Sequence, residues 1–385
     1  MSKTIYFDNA ATTAVRDEVF AAMTPYLRES YGNPSSLYKI ARDAKNAIEK
    51  AREQVAAAIG ALPSEVFFTG SGTEAVNWAL IGGAFANKSK GNHIITSSIE
   101  HHAVLHSCKY LEKHGFEVTY LPVDKFGIIS VDELERAIRP ETILISIMYA
   151  NNEIGTIQPI AEIGAIAKAR GIIFHTDAVQ AIGNLPVDVK ADNVDLLALS
   201  AHKLHGPKGV GALYIRSGVN VLAFIHGGAQ ERGRRAGTEN VASIVGLGEA
   251  STLAKAEMDE KIRKMRKLRD KIIVTILERV PNAQLNGHPE KRLPGNASIS
   301  FDFVEGESIL LMLDMKGIAA SSGSACTSGA LNPSHVLMAL GLPHEKAHGS
   351  LRISVGRYNT EEDADTLIEA IVPIVEKLRA MSPLC

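Results

Sequence analysis

Two stretches of the sequence decide its fold, Ile172-Ile173-Phe174-His175-Thr176-Asp177 and Leu196-Leu197-Ala198-Leu199-Ser200-Ala201-His202-Lys203. Each is a short apolar run, typical of a buried strand, with one ionisable residue at or just past its end. Because parallel sheets bind ligands beyond the carboxyl ends of their strands, we expect Asp177 and Lys203 at a binding site.

The residues around these runs predict a large α/β domain. From about residue 60 to 215, apolar strands alternate with amphipathic helices, the pattern of a mostly parallel sheet covered on both faces. The predicted strands are Val66–Thr69, His93–Thr96, Glu117–Leu121, Thr142–Met148, Ile172–Thr176, Val194–Leu199 and Gly211–Ile215. The predicted helices are Ala75–Asn87, Ala103–Lys113, Val131–Arg139 and Ile160–Ala169.

A smaller α/β domain follows, after one long charged helix predicted over about Leu253–Arg279. Its predicted elements are Ala297–Phe303, Ser308–Lys316, Gly317–Ala320, Val336–Leu340, Leu351–Val355 and Glu361–Arg379. We expect an N-terminal segment at 1–15, the large domain at 16–255 and the small domain at 256–385, joined by N-terminal residues. The N-terminal helix predicted over Arg42–Ile59 is expected to pack beside the C-terminal domain.

The composition is that of an ordinary globular chain. The 385 residues are 45% hydrophobic and 22% charged, and 41 Lys and Arg against 43 Asp and Glu give a net charge of −2. That balance indicates neither a nucleic-acid surface nor a patch for anionic membranes. No apolar run reaches transmembrane length and the start lacks a signal-peptide profile, so a cytoplasmic location is expected.

The cysteines are scattered, at Cys108, Cys326 and Cys385. Their spacing excludes a disulfide framework and any Cys-x-x-Cys metal site, so a thiol used here acts singly. Cys326 lies in a run of small residues, Ser321-Ser322-Gly323-Ser324-Ala325-Cys326-Thr327-Ser328-Gly329, which predicts an accessible nucleophile. Cys108 lies inside a predicted helix and is expected to be structural.

An acid and a lysine at neighbouring strand ends are what pyridoxal phosphate (PLP) chemistry requires. The lysine binds the cofactor aldehyde, and the carboxylate keeps the pyridine nitrogen protonated so that the ring absorbs electrons. An ordinary buried ion pair between Asp177 and Lys203 is the alternative, and the two residues alone leave both interpretations open.

The turn Gly70-Ser71-Gly72-Thr73 joins a strand to a helix and is typical of a phosphate cradle. The alternative is a tight turn with Thr73 capping the helix. Gly70-x-Gly72-x-x-Ala75 also matches the dinucleotide-binding fingerprint, but no acidic residue stands at the expected distance. The His-Glu-x-x-His match at His344–His348 is disfavoured as a zinc site, because Pro343 and Gly349 leave barely one helical turn.

Two further residues have both a functional and an ordinary interpretation. His101 stands at a strand's end, where it either stacks on a flat cofactor and moves protons or serves as a helix-entry residue. Arg352 interrupts a strand pattern and suits capture of a carboxylate, although an ion pair on an edge strand explains it equally.

Together these motifs resemble the cysteine desulfurases of the NifS/IscS type, a branch of the fold-type I PLP enzymes. The resemblance spans nearly the whole chain, from Tyr6-Phe7-Asp8-Asn9-Ala10-Ala11-Thr12-Thr13 to Arg352-Ile353-Ser354-Val355-Gly356-Arg357. It implies removal of sulfur from L-cysteine to give L-alanine and an enzyme persulfide, with transfer to acceptors such as those of iron–sulfur cluster assembly.

The resemblance also implies residue roles. Lys203 binds the cofactor and removes the Cα proton, Asp177 contacts the ring nitrogen, His101 stacks on the ring and relays protons, and Cys326 forms the persulfide. The remaining implied contacts are those of Gly72, Thr73, Ser200 and His202 with the phosphate, Gln180 with the ring hydroxyl, Asn152 with cofactor and substrate, Arg352 with the substrate carboxylate, and Thr238 with the phosphate of a neighbouring subunit.

The implied assembly is therefore a homodimer with shared active sites. No resident metal is implied, and Cys326 is at most a transient ligand of an iron–sulfur cluster. The sequence departs from the family pattern at Tyr38, Ala41 and Ala229, which concern the entrance of the site. It ends at Cys385 where scaffold-binding members continue, so docking of an iron–sulfur scaffold protein through such a tail is not expected.

Two alternatives to this function stay open at the level of sequence. The first is a PLP lyase or aminotransferase that acts without a catalytic thiol, which sensitivity to thiol alkylation separates from a desulfurase. The second is a PLP-fold protein retained as a binding or regulatory partner. The sulfur acceptor, and any activity on selenocysteine, are not indicated by the residues.

Overall fold

The computed structural model describes residues 4–322 and 333–381. Its strands are β1 (Ile5–Tyr6), β2 (Val66–Thr69), β3 (His93–Ser97), β4 (Glu117–Leu121), β5 (Thr142–Ser146), β6 (Ile173–Asp177), β7 (Leu196–Ser200), β8 (Gly211–Ile215), β9 (Ala283–Leu285), β10 (Asn296–Phe301), β11 (Ile318–Ala319) and β12 (Ser350–Ser354). Its α-helices are α1 (Asp17–Met23), α2 (Pro25–Arg28), α3 (Lys39–Ile59), α4 (Gly72–Asn77), α5 (Gly83–Asn87), α6 (His102–Glu112), α7 (Val131–Ala137), α8 (Ile160–Arg170), α9 (Val241–Ala256), α10 (Met258–Arg279), α11 (Gly306–Asp314), α12 (His335–Ala339), α13 (His344–His348) and α14 (Glu361–Met381). Within these described ranges, no helix combines the length and apolarity that a membrane span needs.

The larger sheet, as described, has seven strands in the order β2-β8-β7-β6-β5-β3-β4. Strand β8 runs antiparallel to both of its neighbours, and the other pairings are parallel. Alternate residues of β7 pack on opposite faces: Leu197 and Leu199 join one core, and Leu196 and Ala198 join the other. The predicted α/β fold with a mostly parallel sheet covered on both faces is confirmed.

Helices α3 and α9 cover one face of this sheet and pack closely against each other. A glycine permits the contact, because a Cβ on Gly248 would lie 2.7 Å from the Cα of Ala51. Ile48, Val55 and Ile59 of α3 belong to this core. The expectation that the helix over 42–59 packs beside the C-terminal domain is therefore wrong. We call this sheet and its helices the large unit.

The second unit consists of the antiparallel sheet β12-β10-β9 with helices α10, α11 and α14. The first residues of the chain belong to it, since β1 pairs in parallel with β11 and Phe7 is fully buried in its core. N-terminal residues thus join the C-terminal half. The boundaries proposed at residues 15 and 255 stay a prediction.

The single helix predicted over Leu253–Arg279 is wrong. Two helices, α9 and α10, meet at Glu257, whose backbone (φ −105°, ψ 7°) leaves the helical region. The Glu257 carboxylate accepts hydrogen bonds from Arg16 Nη1, at 2.7 Å, and from Arg357 Nη1. Residues from both ends of the chain therefore meet at this junction. The charged, helix-favouring sequence carries no sign of these distant partners.

Candidate active site

A cavity of about 660 Å³ opens at the carboxyl ends of β6 and β7. Asp177 is the last residue of β6, and Lys203 ends a short 3₁₀ turn, Ala201–Lys203, directly after β7. These strands are neighbours, with Asp177 opposite Ala198, so both residues reach one site. The predicted residues that line the cavity are Gly72, Thr73, His101, Asn152, Asp177, Gln180, Ser200, His202, Lys203 and Arg352.

Asp177 is a buried carboxyl on the floor of this cavity. One of its oxygens accepts the backbone N–H of Val179 at 3.0 Å. Burial raises the pKa of Asp177, and its interactions with His101, the Val179 N–H and Lys203 oppose that rise. Burying a carboxylate is unfavourable unless it is paired, so this side chain requires a cationic or N–H partner inside the cavity.

The Lys203 ammonium is held by the N-terminal segment. Its Nζ donates to the carbonyl oxygens of Ala10 at 2.5 Å and Ala11 at 2.7 Å. Gln180 Nε2 donates to the same Ala10 carbonyl at 2.9 Å, and the Ala10 N–H donates to Ser354 Oγ of β12. The segment therefore positions the lysine and links it to the second unit.

Donors of several kinds converge at one end of the cavity. Ser71 caps α4 by accepting the N–H of Glu74 at 3.0 Å, so the cap of this turn is Ser71 and not Thr73. A Cβ on Gly72 would lie 2.8 Å from Val179 Cγ2, so the close approach requires glycine. The Thr73 and Ser200 hydroxyls line the cavity here.

His202 completes this end as a neutral imidazole. Burial lowers its pKa to about 4, and the nearby charges of Lys203 and Lys208 lower it further. Its Nδ1 lies 3.2 Å from Thr12 Oγ1. Two hydroxyls, an imidazole and the amides at a helix start form a donor set that suits an anionic oxygen group such as a phosphate.

His101 is the N-cap residue of α6 and also lines the cavity. Its Nδ1 accepts the backbone N–H of Ala103 at 3.1 Å, so in the neutral ring the proton lies on Nε2. His101 therefore fits both interpretations made from the sequence. Its Nδ1 caps the start of α6, and its Nε2 is not used by that cap.

Arg352 lies on β12 at the opposite side of the cavity and is buried. Its Nη1 donates to the Asn152 carbonyl at 3.1 Å, and its Nη2 binds Asp8 at 3.0 Å. Its Nε has no hydrogen-bond partner among the described residues. The ion pair predicted on an edge strand is therefore present, between Arg352 and Asp8. Arg352 also lines the cavity, and its Nε–H donor is not used within the described residues.

The class-V aminotransferase family model matches this chain over residues 5–367. The chain belongs to this family. A relative from Methanosarcina thermophila, named cysteine desulfurase IscS, is 62% identical over 100% of this chain and 95% of its own length. A Clostridium botulinum relative of the same name is 56% identical over 100% of this chain and 97% of its own.

Solved structures agree with the family. One described as a NifS-like protein has a TM-score of 0.92 at 42% identity, covering 97% of this chain and 100% of its own. A structure of SspA in complex with cysteine has a TM-score of 0.82 at 40% identity, covering 92% and 99%. The resemblance to the NifS/IscS-type cysteine desulfurases is confirmed.

Class-V aminotransferases of this type depend on PLP, so the predicted cofactor is confirmed. The residues present also fit it. The buried Asp177 carboxyl would pair with the N–H of a protonated pyridine, and the Lys203 amine would bind the aldehyde. The donors around Gly72, Thr73 and His202 suit the phosphate.

Sequence reasoning missed two carboxyl groups at this site. Asp8 was quoted only as part of a motif, yet it pairs with Arg352 across 344 residues of sequence. Glu100, which precedes His101 in the sequence, was assigned no role, yet its side chain is fully buried. Burial raises the pKa of Glu100 to about 8, while Ser97 and Met148 donate hydrogen bonds to it.

Among the described residues, Thr238 and Cys108 do not line this cavity. Thr238 lines a separate cavity of about 250 Å³ with Gly70 and Arg235, so within one chain it does not join the others. Cys326, with Cys385, lies outside the described residues. Cys108 is buried and burial raises the pKa of its thiol, so its predicted structural role is consistent with its surroundings.

Proposed function

We propose that this PLP-dependent cysteine desulfurase converts L-cysteine into L-alanine and leaves the sulfur as a persulfide on Cys326. One observation carries the assignment of the site. The same cavity joins Lys203 and Asp177 at one end to Arg352 and Asn152 at the other, which suits an amino acid held by its carboxylate against a cofactor bound to a lysine.

Bound PLP supplies an electron sink for the charge left on the substrate Cα when its proton leaves. The Lys203 amine takes that proton, positioned by the Ala10 and Ala11 carbonyls. Asp177 stabilises the protonated ring nitrogen through its buried charge. Thr73, Ser200 and His202 hold the phosphate, with the amides that follow Gly72.

At the substrate end, Arg352 binds the carboxylate and Asn152 contacts both substrate and cofactor. Arg352 is already oriented by Asp8 and by the Asn152 carbonyl, so little rearrangement is needed on binding. His101 lines the same cavity, and because its Nδ1 is occupied by the Ala103 N–H, its Nε2 is the nitrogen that would exchange a proton with the substrate.

The sulfur step uses the Cys326 thiolate. Its sulfur forms an S–S bond with the substrate sulfur while the substrate Cβ–S bond breaks, and the electron pair of that bond stays with carbon. Protons added at Cβ and Cα then complete L-alanine. The overall change is L-cysteine plus a thiol giving L-alanine plus a persulfide, with no external oxidant or reductant.

The finer parts of the proposal concern assembly and partners. A homodimer is supported by Thr238, an exposed residue away from the cavity of its own chain, for which the family resemblance implies contact with the phosphate of a second copy. A cytoplasmic location is supported by the scattered cysteines. The sulfur acceptor is proposed to be a protein of iron–sulfur cluster assembly, in line with the IscS name of the relatives.

The test adds L-cysteine to the purified holoenzyme and measures alanine and sulfide under reducing conditions. The Cys326→Ser variant is expected to keep the visible absorbance of bound cofactor and lose roughly 10²-fold or more in turnover. Cys108→Ala is the matched control and is expected to turn over normally. Full activity of Cys326→Ser, insensitive to alkylation, would instead indicate a lyase that acts without a thiol.

A further inference from the structure

Hydrogen bonds from the second unit hold the turn Asn151–Thr156 of the large unit. Four successive backbone carbonyls each accept a hydrogen bond from the second unit: Asn152 from Arg352 Nη1 at 3.1 Å, Glu153 from Asn296 Nδ2 at 3.0 Å, Ile154 from Arg292 Nη2 at 3.0 Å, and Gly155 from the Leu293 N–H at 2.9 Å. When consecutive backbone carbonyls all accept hydrogen bonds from the same neighbouring unit, the position of the turn is fixed relative to that unit.

Arg292 is the residue of this hydrogen-bonded contact that connects the turn to the second unit at several points. Its side chain is buried, and it binds no carboxylate among the described residues. It donates instead to the Ile154 carbonyl of the turn and to the Asn286 and Asn296 carbonyls of its own unit, at 3.0 to 3.2 Å. Burial lowers the pKa of Arg292 to about 9, so holding this guanidinium inside is unfavourable in isolation.

The turn is also braced internally by hydrogen bonds, so that fixing its carbonyls fixes the position of the whole turn. Asn151 Oδ1 accepts the N–H groups of Glu153 and Ile154, and Asn151 Nδ2 donates to the Ile99 carbonyl. Gly155 has φ +77°, and a Cβ there would lie 2.7 Å from the Asn296 side chain. Asn296 thus packs directly on the turn as well as bonding to it.

The functional consequence concerns Asn152. It lines the cofactor cavity, whereas the side chains of Asn151, Glu153 and Ile154 are buried in the protein. Arg352, the other residue at the substrate end, binds the same turn through the Asn152 carbonyl. The relative placement of these two substrate-facing groups therefore depends on how the turn sits against the second unit.

We propose that Arg292 and Asn296 are positioning residues of the active site, which hold the turn so that Asn152 and Arg352 meet the substrate together. Neither residue lines the cofactor cavity, so each acts through the turn. The substrate part of this inference rests on the proposed function, whereas the holding of the turn does not.

The test compares Arg292→Lys with the unchanged holoenzyme. A lysine keeps the charge but cannot bridge three carbonyls, so the turn should loosen. We expect amide hydrogen exchange across residues 151–157 to rise at least about tenfold while exchange in β6 and β7 is unchanged. We expect KM for L-cysteine to rise about tenfold, with kcat within about threefold.

Arg379→Lys is the matched control. Arg379 also donates to two backbone carbonyls, of Asp302 at 3.0 Å and Asn282 at 3.4 Å, but away from the turn. It should change neither KM nor exchange at 151–157. Asn296→Ser is a second variant, which removes the bond to the Glu153 carbonyl and should repeat the effect of Arg292→Lys to a smaller degree.

Unchanged exchange and unchanged KM in both Arg292→Lys and Asn296→Ser would overturn the proposal. A uniform rise in exchange over the whole chain, with KM unaffected, would also overturn it, because that result describes a stability role alone. If the unchanged holoenzyme does not act on L-cysteine, the proposed function is wrong. The amide hydrogen exchange at residues 151–157 in the variants still decides whether Arg292 and Asn296 hold the turn.

Discussion

The two ends of the cavity are built in different ways. At the cofactor end, Asp177 and Lys203 come from adjacent strands joined by one crossover of the sheet. At the substrate end, Arg352 meets Asn152 across 200 residues and Asp8 across 344 residues of sequence. The first end follows from secondary structure, and the second exists only once distant segments have packed.

This difference extends to the charges. At the cofactor end, burial keeps His202 neutral by lowering its pKa to about 4. At the substrate end, opposite charges pair directly, as Arg352 does with Asp8. Changes at the cofactor end should therefore abolish chemistry, whereas changes at the substrate end should weaken binding or shift its pH dependence.

The largest effect is expected for Lys203→Ala, which removes the amine from the cofactor end. Turnover of L-cysteine should fall by roughly 10³-fold or more, because both the covalent anchor and the base are lost. The visible absorbance of lysine-bound cofactor should disappear, which a spectrum of the purified protein measures directly.

Lys255→Ala is the control for that variant. Its side chain lies away from the cavity, where Nζ contacts the Ala57 carbonyl, and its removal should leave spectrum and turnover unchanged. An unaltered spectrum in Lys203→Ala would reject the assignment of the lysine and with it the contrast between the two ends.

An intermediate effect is expected at the substrate end. Arg352→Lys should raise KM for L-cysteine about tenfold with a smaller change in kcat, because lysine cannot bind a carboxylate with two parallel N–H groups. Asp8→Asn should raise KM by only about two- to fivefold, since Asn152 still orients the guanidinium. Steady-state kinetics at saturating PLP measures both.

The order of these two variants is itself informative. If Asp8→Asn lowers KM, then the Asp8 carboxylate competes with substrate for Arg352 and does not orient it. A fall in kcat of Arg352→Lys as large as that of Lys203→Ala would mean that the two ends are not separable in function.

The smallest effect concerns Glu153, which is buried and accepts the Ser334 hydroxyl. Burial raises the pKa of Glu153 to about 7, with Ser334 and Arg352 opposing the rise. The folded state therefore keeps a proton that the unfolded chain releases above about pH 4.3, so this group lowers stability as the pH rises towards 7.

Glu153→Gln should remove that dependence while keeping an acceptor for Ser334. Relative to the unchanged protein, its free energy of unfolding should gain up to about 3 kcal/mol between pH 5 and pH 8. Urea unfolding at the two pH values measures this, with the exposed Glu162→Gln on α8 as control. An equal offset at both values would show that Glu153 does not hold the proton.

The fold and the cofactor end could be predicted because their signals are local. Alternating apolar runs fixed the strand positions to within a few residues, and Asp177 and Lys203 follow strands that are neighbours in a parallel sheet. The burial of Cys108 could be predicted from its apolar surroundings alone.

The substrate end could be predicted only through resemblance. Nothing near Arg352 in the sequence indicates Asp8, and nothing near Arg292 indicates the Ile154 carbonyl, which lies 138 residues earlier. The break at Glu257 was missed for the same reason, since Arg16 and Arg357 reach it from opposite ends of the chain. Pairwise contacts between distant segments leave no periodic signal.

The pairing of β1 with β11 has a consequence for biosynthesis. The partners of Ile5 and Tyr6, which are Ile318 and Ala319, are synthesised more than 300 residues later. At translation rates of about 5–20 residues per second, the first segment waits roughly 15–60 s for them. Because Ala10 and Ala11 follow this strand closely, we expect their carbonyls to take their positions against Lys203 only after Ile318 and Ala319 have been made.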